Sequence, residues 1–196
     1  MSTPTPAPGD AEVHHFVDLA AWEAWLAEHY ELPAGAWLLI AKKGSAQTSV
    51  TITQALDVAL CYGWIDSQRK SYDDDFYLQR YSPRRPSGSW SRVNVDKVAA
   101  LTEAGRMRAP GLAEVEAARA DGRWEAAYVS QKEAGVPPDL ATALAGSAPA
   151  AATFAQLGKT AQYAVILQLL KARTPATRAA RLARTIAQLA AGQPVR

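Results

Sequence analysis

The chain has 196 residues, 48% hydrophobic and 20% charged, enough for one domain that removes roughly 70% of its unfolded surface from water. No apolar run approaches the roughly 18 residues of a membrane span, and the single cysteine, Cys61, excludes an intramolecular disulfide and suits the reducing cytoplasm. The net charge of +2 hides an asymmetry: residues 1–139 carry 14 Lys/Arg against 19 Asp/Glu, a net −5, whereas residues 140–196 carry seven Lys/Arg and no acid.

Residues 1–11 are polar and Pro-rich, without the charged start and apolar stretch of a signal peptide, and read as a disordered tail. Residues 12–192 read as a single domain, with a sheet-containing part over 12–93 and a helical part over 94–192. Glu12 to Val17 is a short strand, and Asp18 caps a helix with Leu19, Trp22, Trp25, Leu26 and Tyr30 on one stripe. Pro33 and Gly35 turn the chain into a buried strand, Ala36 to Ala41. Thr51 and Gln54 form a capping box for a helix that turns Ile52, Leu56, Ala59 and Leu60 inward and stops near Gly63. Trp64 to Gln68 and Phe76 to Tyr81 pair as strands around the acidic turn Ser71 to Asp75.

From there the pattern is helical. Asn94 caps a helix over 95–104, Pro110 opens one that ends at Asp121-Gly122, and Pro137-Pro138-Asp139 starts a third that runs to Gly146. Pro149 opens a short helix, Tyr163 to Leu170 is strongly apolar, and Thr174-Pro175 begins a last helix to about Ala191. On that helix Leu182, Ile186 and Leu189 face inward, with Arg178, Arg181 and Arg184 on an adjoining face. The fold class is α+β: predominantly helical, with about seven helices, a small and mostly antiparallel sheet in the N-terminal half and an all-helical C-terminal part.

Chemistry concentrates in mid-chain. Gly63-Trp64-Ile65-Asp66-Ser67 is followed by Ser82-Pro83-Arg84-Arg85-Pro86 and by Ser89-Trp90-Ser91-Arg92-Val93-Asn94. Guanidinium forks and hydroxyls donate to anionic oxygens, so Trp64, Asp66, Arg84, Arg85, Ser89, Trp90, Ser91 and Asn94 make a candidate ligand site. The same residues equally describe a structural staple, one arginine stacked on an indole and another paired with Asp66. Asp66 is a weak candidate general base, because no spacing supplies it with a second catalytic group.

No metal is expected. His14 and His15 point to opposite faces of a strand, His29 lacks matching ligands, and Asp73-Asp74-Asp75 lacks the spaced oxygens of a calcium loop. No cofactor is expected either, as no phosphate-loop or dinucleotide fingerprint occurs. Cys61 reads as core and Lys42-Lys43 as solvated strand-end charges.

Six blocks carry a family resemblance: Ala59 to Asp66; Pro83-Arg84-Arg85-Pro86 with Trp90-Ser91 and Asn94; Gly105-Arg106-Met107; Asp121-Gly122-Arg123-Trp124 with Ala127-Tyr128; Pro137 to Leu140 with Ala143-Leu144; and Thr177-Arg178. Together they resemble the YdeI/OmpD-associated, or bacteriocin-protection, family over about residues 13–190. Relatives tend to carry Ser two residues before the tryptophan, where this chain has Gly88, and Glu in the last helix, where it has Ala176. The resemblance implies a bacterial protection or stress-response role against bacteriocins or cationic antimicrobial peptides, and it transfers no catalytic residues.

The expectation is therefore a cytoplasmic, non-enzymatic protein that binds an anionic small molecule or an envelope-related partner, with Arg178, Arg181 and Arg184 as a basic face. That face competes with solvated charge or with docking on the chain's own acids. A small-molecule or nucleotide-handling enzyme built on Trp64, Asp66, Arg84 and Trp90 is the alternative. Nucleic acid is disfavoured, since the arginine stripe has no interleaved aromatics, and the oligomeric state stays open.

Overall fold

The computed structural model describes residues 11–129, 133–172 and 174–193. The expected N-terminal tail lies, but for residue 11, outside them. Strand β1 (Val13–His14) runs into helix α1 (Leu19–His29), where the Asp18 carboxylate accepts from the Ala21 N–H at 2.8 Å. Strand β2 (Ala36–Ala41) follows a turn in which Gly35 takes φ +71°. A Cβ there would strike the Tyr81 carbonyl, so both the dihedral and the space demand glycine. Helix α2 (Ile52–Cys61) starts at the expected capping box of Thr51 and Gln54. Strands β3 (Trp64–Ser71) and β4 (Phe76–Pro83) form the hairpin.

The sheet order is β1-β2-β4-β3. β2 pairs antiparallel with β4, and β4 with β3, but β1 pairs parallel with β2. The sheet is thus mixed. The cause is topological: α1 crosses from β1 back to β2, and a helical crossover returns the chain in the same direction. β1 is also shorter than the expected Glu12 to Val17.

Helices α3 (Arg92–Glu103) and α4 (Ala109–Ala120) follow, then α5 (Pro138–Ala145), α6 (Ala148–Gln156), α7 (Lys159–Leu170) and α8 (Pro175–Ala190). Eight helices are present among the described residues, one more than expected, because the apolar stretch before Leu170 forms a helix of its own. α3 begins two residues before the expected cap, so Asn94 lies inside its first turn. Ser91 is bridged to Tyr128, and the Arg92 N–H donates to the Tyr128 carbonyl at 2.8 Å; that clamp sets the helix start.

The described residues fall into two compact units. Of these, the first takes residues 11–88 and 94–124, the second residues 89–93, 125–129, 133–172 and 174–193. The first centres on aromatic side chains: Trp22, Trp64 and Tyr81 are all 0% exposed. In α2, Ala55, Val58, Ala59, Leu60 and Cys61 are buried, whereas Ile52 and Leu56, expected inward, are half-buried. The second unit has an aliphatic core of Leu140, Leu144, Val165, Ile166, Leu169 and Leu189 around Phe154. Leu182 and Ile186 pack at its margin.

Candidate functional site

Trp64 enters β3 directly after Gly63, which ends the α2 segment at φ +76°. Its indole N–H donates to the Tyr30 carbonyl at 2.6 Å, and its ring meets Trp22 edge-on at 6.2 Å and Trp25 at 6.4 Å. Trp22 in turn donates to the Ala55 carbonyl at 3.1 Å. Each indole therefore satisfies its donor on a backbone carbonyl and spends its faces on packing, as a buried tryptophan must. Trp64 is sealed inside its unit.

Asp66 is exposed, not buried beside Trp64 as a poised base requires. β3 is an edge strand, and its ladder slips between Asp66 and Arg69, so the burial seen at Trp64 fades within two residues. The charge of Asp66 still reaches Tyr81, whose phenol is pushed up first by burial and then by that carboxylate.

Arg84 is only 9% exposed and its N–H donates to the Gly63 carbonyl at 3.0 Å, tying the end of β4 to the α2–β3 turn. Arg85 is exposed. In the second unit Trp90 is 1% exposed, and its carbonyl accepts from the Tyr128 N–H at 3.1 Å. Ser89 is exposed, Ser91 half-buried. Asn94, half-buried in the first unit, occupies the first turn of α3. Of the proposed ligand set, Trp64 and Arg84 lie close together in the first unit and Ser89, Trp90 and Ser91 in the second.

Arg178 and Arg181 are largely committed to their own unit. Arg178 forks onto Asp139 with Nε at 2.7 Å and Nη2 at 2.9 Å, and its Nη1 donates to the Leu169 carbonyl at 2.9 Å. The hydrogen bond from Arg178 is the main cause that holds the Asp139 carboxyl below its usual range. Arg181 donates to the Gln168 carbonyl at 2.6 Å. Both arginines thus serve carbonyls near the C-terminal end of α7, where the helix dipole favours cations. Arg184 stays exposed, as do Lys159 and Lys171; the Lys171 ammonium lies 4.9 Å from the Tyr128 ring centre.

Three features escaped sequence reasoning. Arg123 is buried, with Nη1 2.8 Å from Glu114 and Nε 2.7 Å from Asp121. Burial works against its charge, but the hydrogen bonds to Glu114 and Asp121 outweigh it and hold its pKa up. The Asp121 to Trp124 block was legible as a motif, yet Glu114 lies on a preceding helix turn that no local spacing joins to it. Secondly, His14 stacks against Phe16 and meets Trp25 at a tilt of 49°, and Trp25 stacks against His29 at 4.3 Å and 3°. Burial depresses the His14 pKa most, opposed by Glu12 and aided by His29. Thirdly, a hollow of about 510 Å³ opens in the first unit between β2, β4 and the start of α2. Its only sequence signal is the polar loop after Ala41, which Gly44 turns at φ +91°.

Among the described residues no group of three or more His, Cys, Asp or Glu is arranged to hold a metal ion, and no helix is long and apolar enough to cross a membrane. Cys61 is buried and its thiol is pushed up to about 11, first by burial.

A mixed sheet covered by helices, followed by a small helical unit, is the class of architecture these elements define. Residues 14–114, just over half of the chain, match the family described as "Domain of unknown function (DUF8412)", and residues 133–192 match "Bacteriocin-protection, YdeI or OmpD-Associated". The chain belongs to the first family through its sheet-bearing part, and its C-terminal helices match the YdeI/OmpD-associated family model over residues 133–192. No curated protein and no solved structure matches it. The YdeI/OmpD-associated match is narrower than the expected span from about residue 13. The blocks at 59–66, 83–94 and 105–107 fall within the other family, and the block at 121–128 lies in neither.

Proposed function

We propose that this protein is a non-enzymatic bacterial protection or stress-response protein whose C-terminal unit engages an anionic, envelope-related surface, in keeping with bacteriocin or cationic-peptide resistance. The carrying observation is the coincidence of family and charge. The segment that matches the bacteriocin-protection family holds six Lys/Arg against two Asp/Glu, and Lys159, Lys171 and Arg184 within it are exposed. One of its two acids, Asp139, is already neutralised by Arg178. What remains is a diffuse positive field, suited to phosphate-bearing headgroups and not to a shaped ligand. The buried free thiol of Cys61 supports action in the cytoplasm, at the inner face of the envelope.

The test is co-sedimentation with vesicles of phosphatidylglycerol and of phosphatidylcholine over a salt series. Binding to the anionic vesicles alone, collapsing as salt shortens the Debye length from about 30 Å at 0.01 M to about 8 Å at 0.15 M, supports the reading. Equal binding to neutral vesicles, or none at low salt, overturns it. Host cells that lack the protein are expected to be more sensitive to bacteriocin or cationic-peptide challenge; unchanged survival counts against the role.

A further inference from the structure

The hollow of about 510 Å³ in the first unit has the volume of a small-molecule site, within the usual range of roughly 300–1,000 Å³. Its lining divides by chemistry. Ile40 and Tyr77, register partners across β2 and β4, supply an apolar floor together with Ile52 from the first turn of α2. Lys43, Gln47 and Thr48 supply a polar rim. No aspartate or glutamate lines it.

The rim holds one cation whose charge is unspent. Lys42 donates to the Asp73 carbonyl at 2.5 Å, but Lys43 is exposed and makes no ion pair among the described residues. The neighbouring acids are occupied. Asp73 accepts from the N–H groups of Asp75 and Phe76 at 2.9 and 2.7 Å, and Asp75 accepts from the Ser45 hydroxyl at 2.6 Å. Two hydroxyls of the wall are committed as well: Ser49 accepts from the Ala41 N–H and donates to the Val50 carbonyl, while Thr51 belongs to the capping box. Helix α2 starts at this wall with no acid in its first turn, so its partial positive end adds to the Lys43 charge.

The geometry points to a binding site for a compact amphipathic carboxylate, with its apolar body against Ile40, Ile52 and Tyr77 and its anionic end held by Lys43 with Thr48 or Gln47. The apolar floor supplies affinity through buried area, and the single cation supplies discrimination against neutral isosteres. This site lies in the first unit, so it stands or falls independently of the C-terminal reading.

Phenylacetate and its neutral isostere phenylacetamide are the probes, titrated into the full-length protein by calorimetry and by backbone amide chemical shifts. Phenylacetate is expected to saturate with a Kd of about 1 mM or tighter, as some ten heavy atoms permit, and to shift the amides of Ile40, Lys43 and Tyr77. Phenylacetamide should bind at least about tenfold more weakly. Lys43→Ala should weaken phenylacetate about tenfold without lowering Tm, whereas Lys42→Ala should leave its affinity within about twofold. Absence of saturation by about 10 mM, equal affinity for the amide, shifts confined to other residues, or unchanged affinity in Lys43→Ala would each overturn the proposal. Inorganic phosphate is the second arm: binding as strong as that of phenylacetate would show that charge alone is read and overturn the amphipathic carboxylate.

Discussion

The two units solve the burial problem with opposite kinds of side chain. The first fills the space between a twisted sheet and its helices with Trp22, Trp64 and Tyr81, whose polar tips reach the carbonyls of Ala55, Tyr30 and Ile52. The second packs short helices through Leu, Val, Ile and Ala side chains that need no partner. A wide ring spans the gap between sheet and helix and anchors itself by one hydrogen bond, whereas closely packed helices want small interdigitating residues. The lesson concerns function. Tryptophan beside arginine and acid looks like a binding site in sequence, yet in the first unit those tryptophans are the core.

The most disruptive way to probe that contrast is Trp64→Ala. Loss of a fully buried indole is expected to cost about 3–5 kcal/mol and to lower the urea midpoint of the whole protein or of its first unit. A Trp64→Ala protein with an unchanged midpoint would show that the ring is not core.

Next in size is the staple of the second unit. Arg178→Ala removes a forked pair to Asp139 and a bond to the Leu169 carbonyl. Both side chains are about a third exposed, so solvent screening limits the expected loss to about 1 kcal/mol, read as a lowered denaturation midpoint. The pH dependence has a fixed sign. The folded Asp139 pKa lies below the ordinary value of 3.8, so its contribution is present above that value and is lost as pH falls through the folded pKa. Arg178→Ala should flatten the acid limb of the stability curve; an unaltered limb would contradict the pairing.

His14 sharpens the comparison from the other side. Its folded pKa is depressed below 6.5, chiefly by burial, so the unfolded chain binds the proton more readily. Stability of the first unit is then full above about pH 6.5 and declines as pH falls through that value towards the folded pKa. In His14→Phe, which keeps an aromatic ring against Phe16 and Trp25, this decline should shrink, as followed by thermal melts between pH 7 and 5. The smallest effect belongs to Asp66→Ala, expected within about 0.5 kcal/mol because the carboxylate is exposed.

Much of this fold was legible in local chemistry. Asp18, the Thr51–Gln54 box and Thr174-Pro175 announce three helix starts, because a cap satisfies orphan N–H groups within four residues. Asn94 misleads for the opposite reason: the start of α3 is fixed by pairing of Ser91 and Arg92 with Tyr128, a contact more than thirty residues away. The parallel β1–β2 pair and the Arg123–Glu114 ion pair were hidden because each joins separate elements of the chain, beyond the reach of a local cap or turn pattern. The charge asymmetry was visible in composition. That Arg178 and Arg181 serve the end of α7 while Arg184 faces solvent could be known only once α7 and α8 were packed.

The account places recognition on the exposed cations of the C-terminal unit and not on the buried mid-chain indoles. Its most direct test is the affinity for phosphatidylglycerol vesicles at low salt of a variant carrying Lys159→Ala, Lys171→Ala and Arg184→Ala. At about 1 kcal/mol per surface cation, the triple variant is expected to bind roughly a hundredfold more weakly than the unaltered protein, with its fold intact by circular dichroism. Undiminished vesicle binding by a folded triple variant would contradict it.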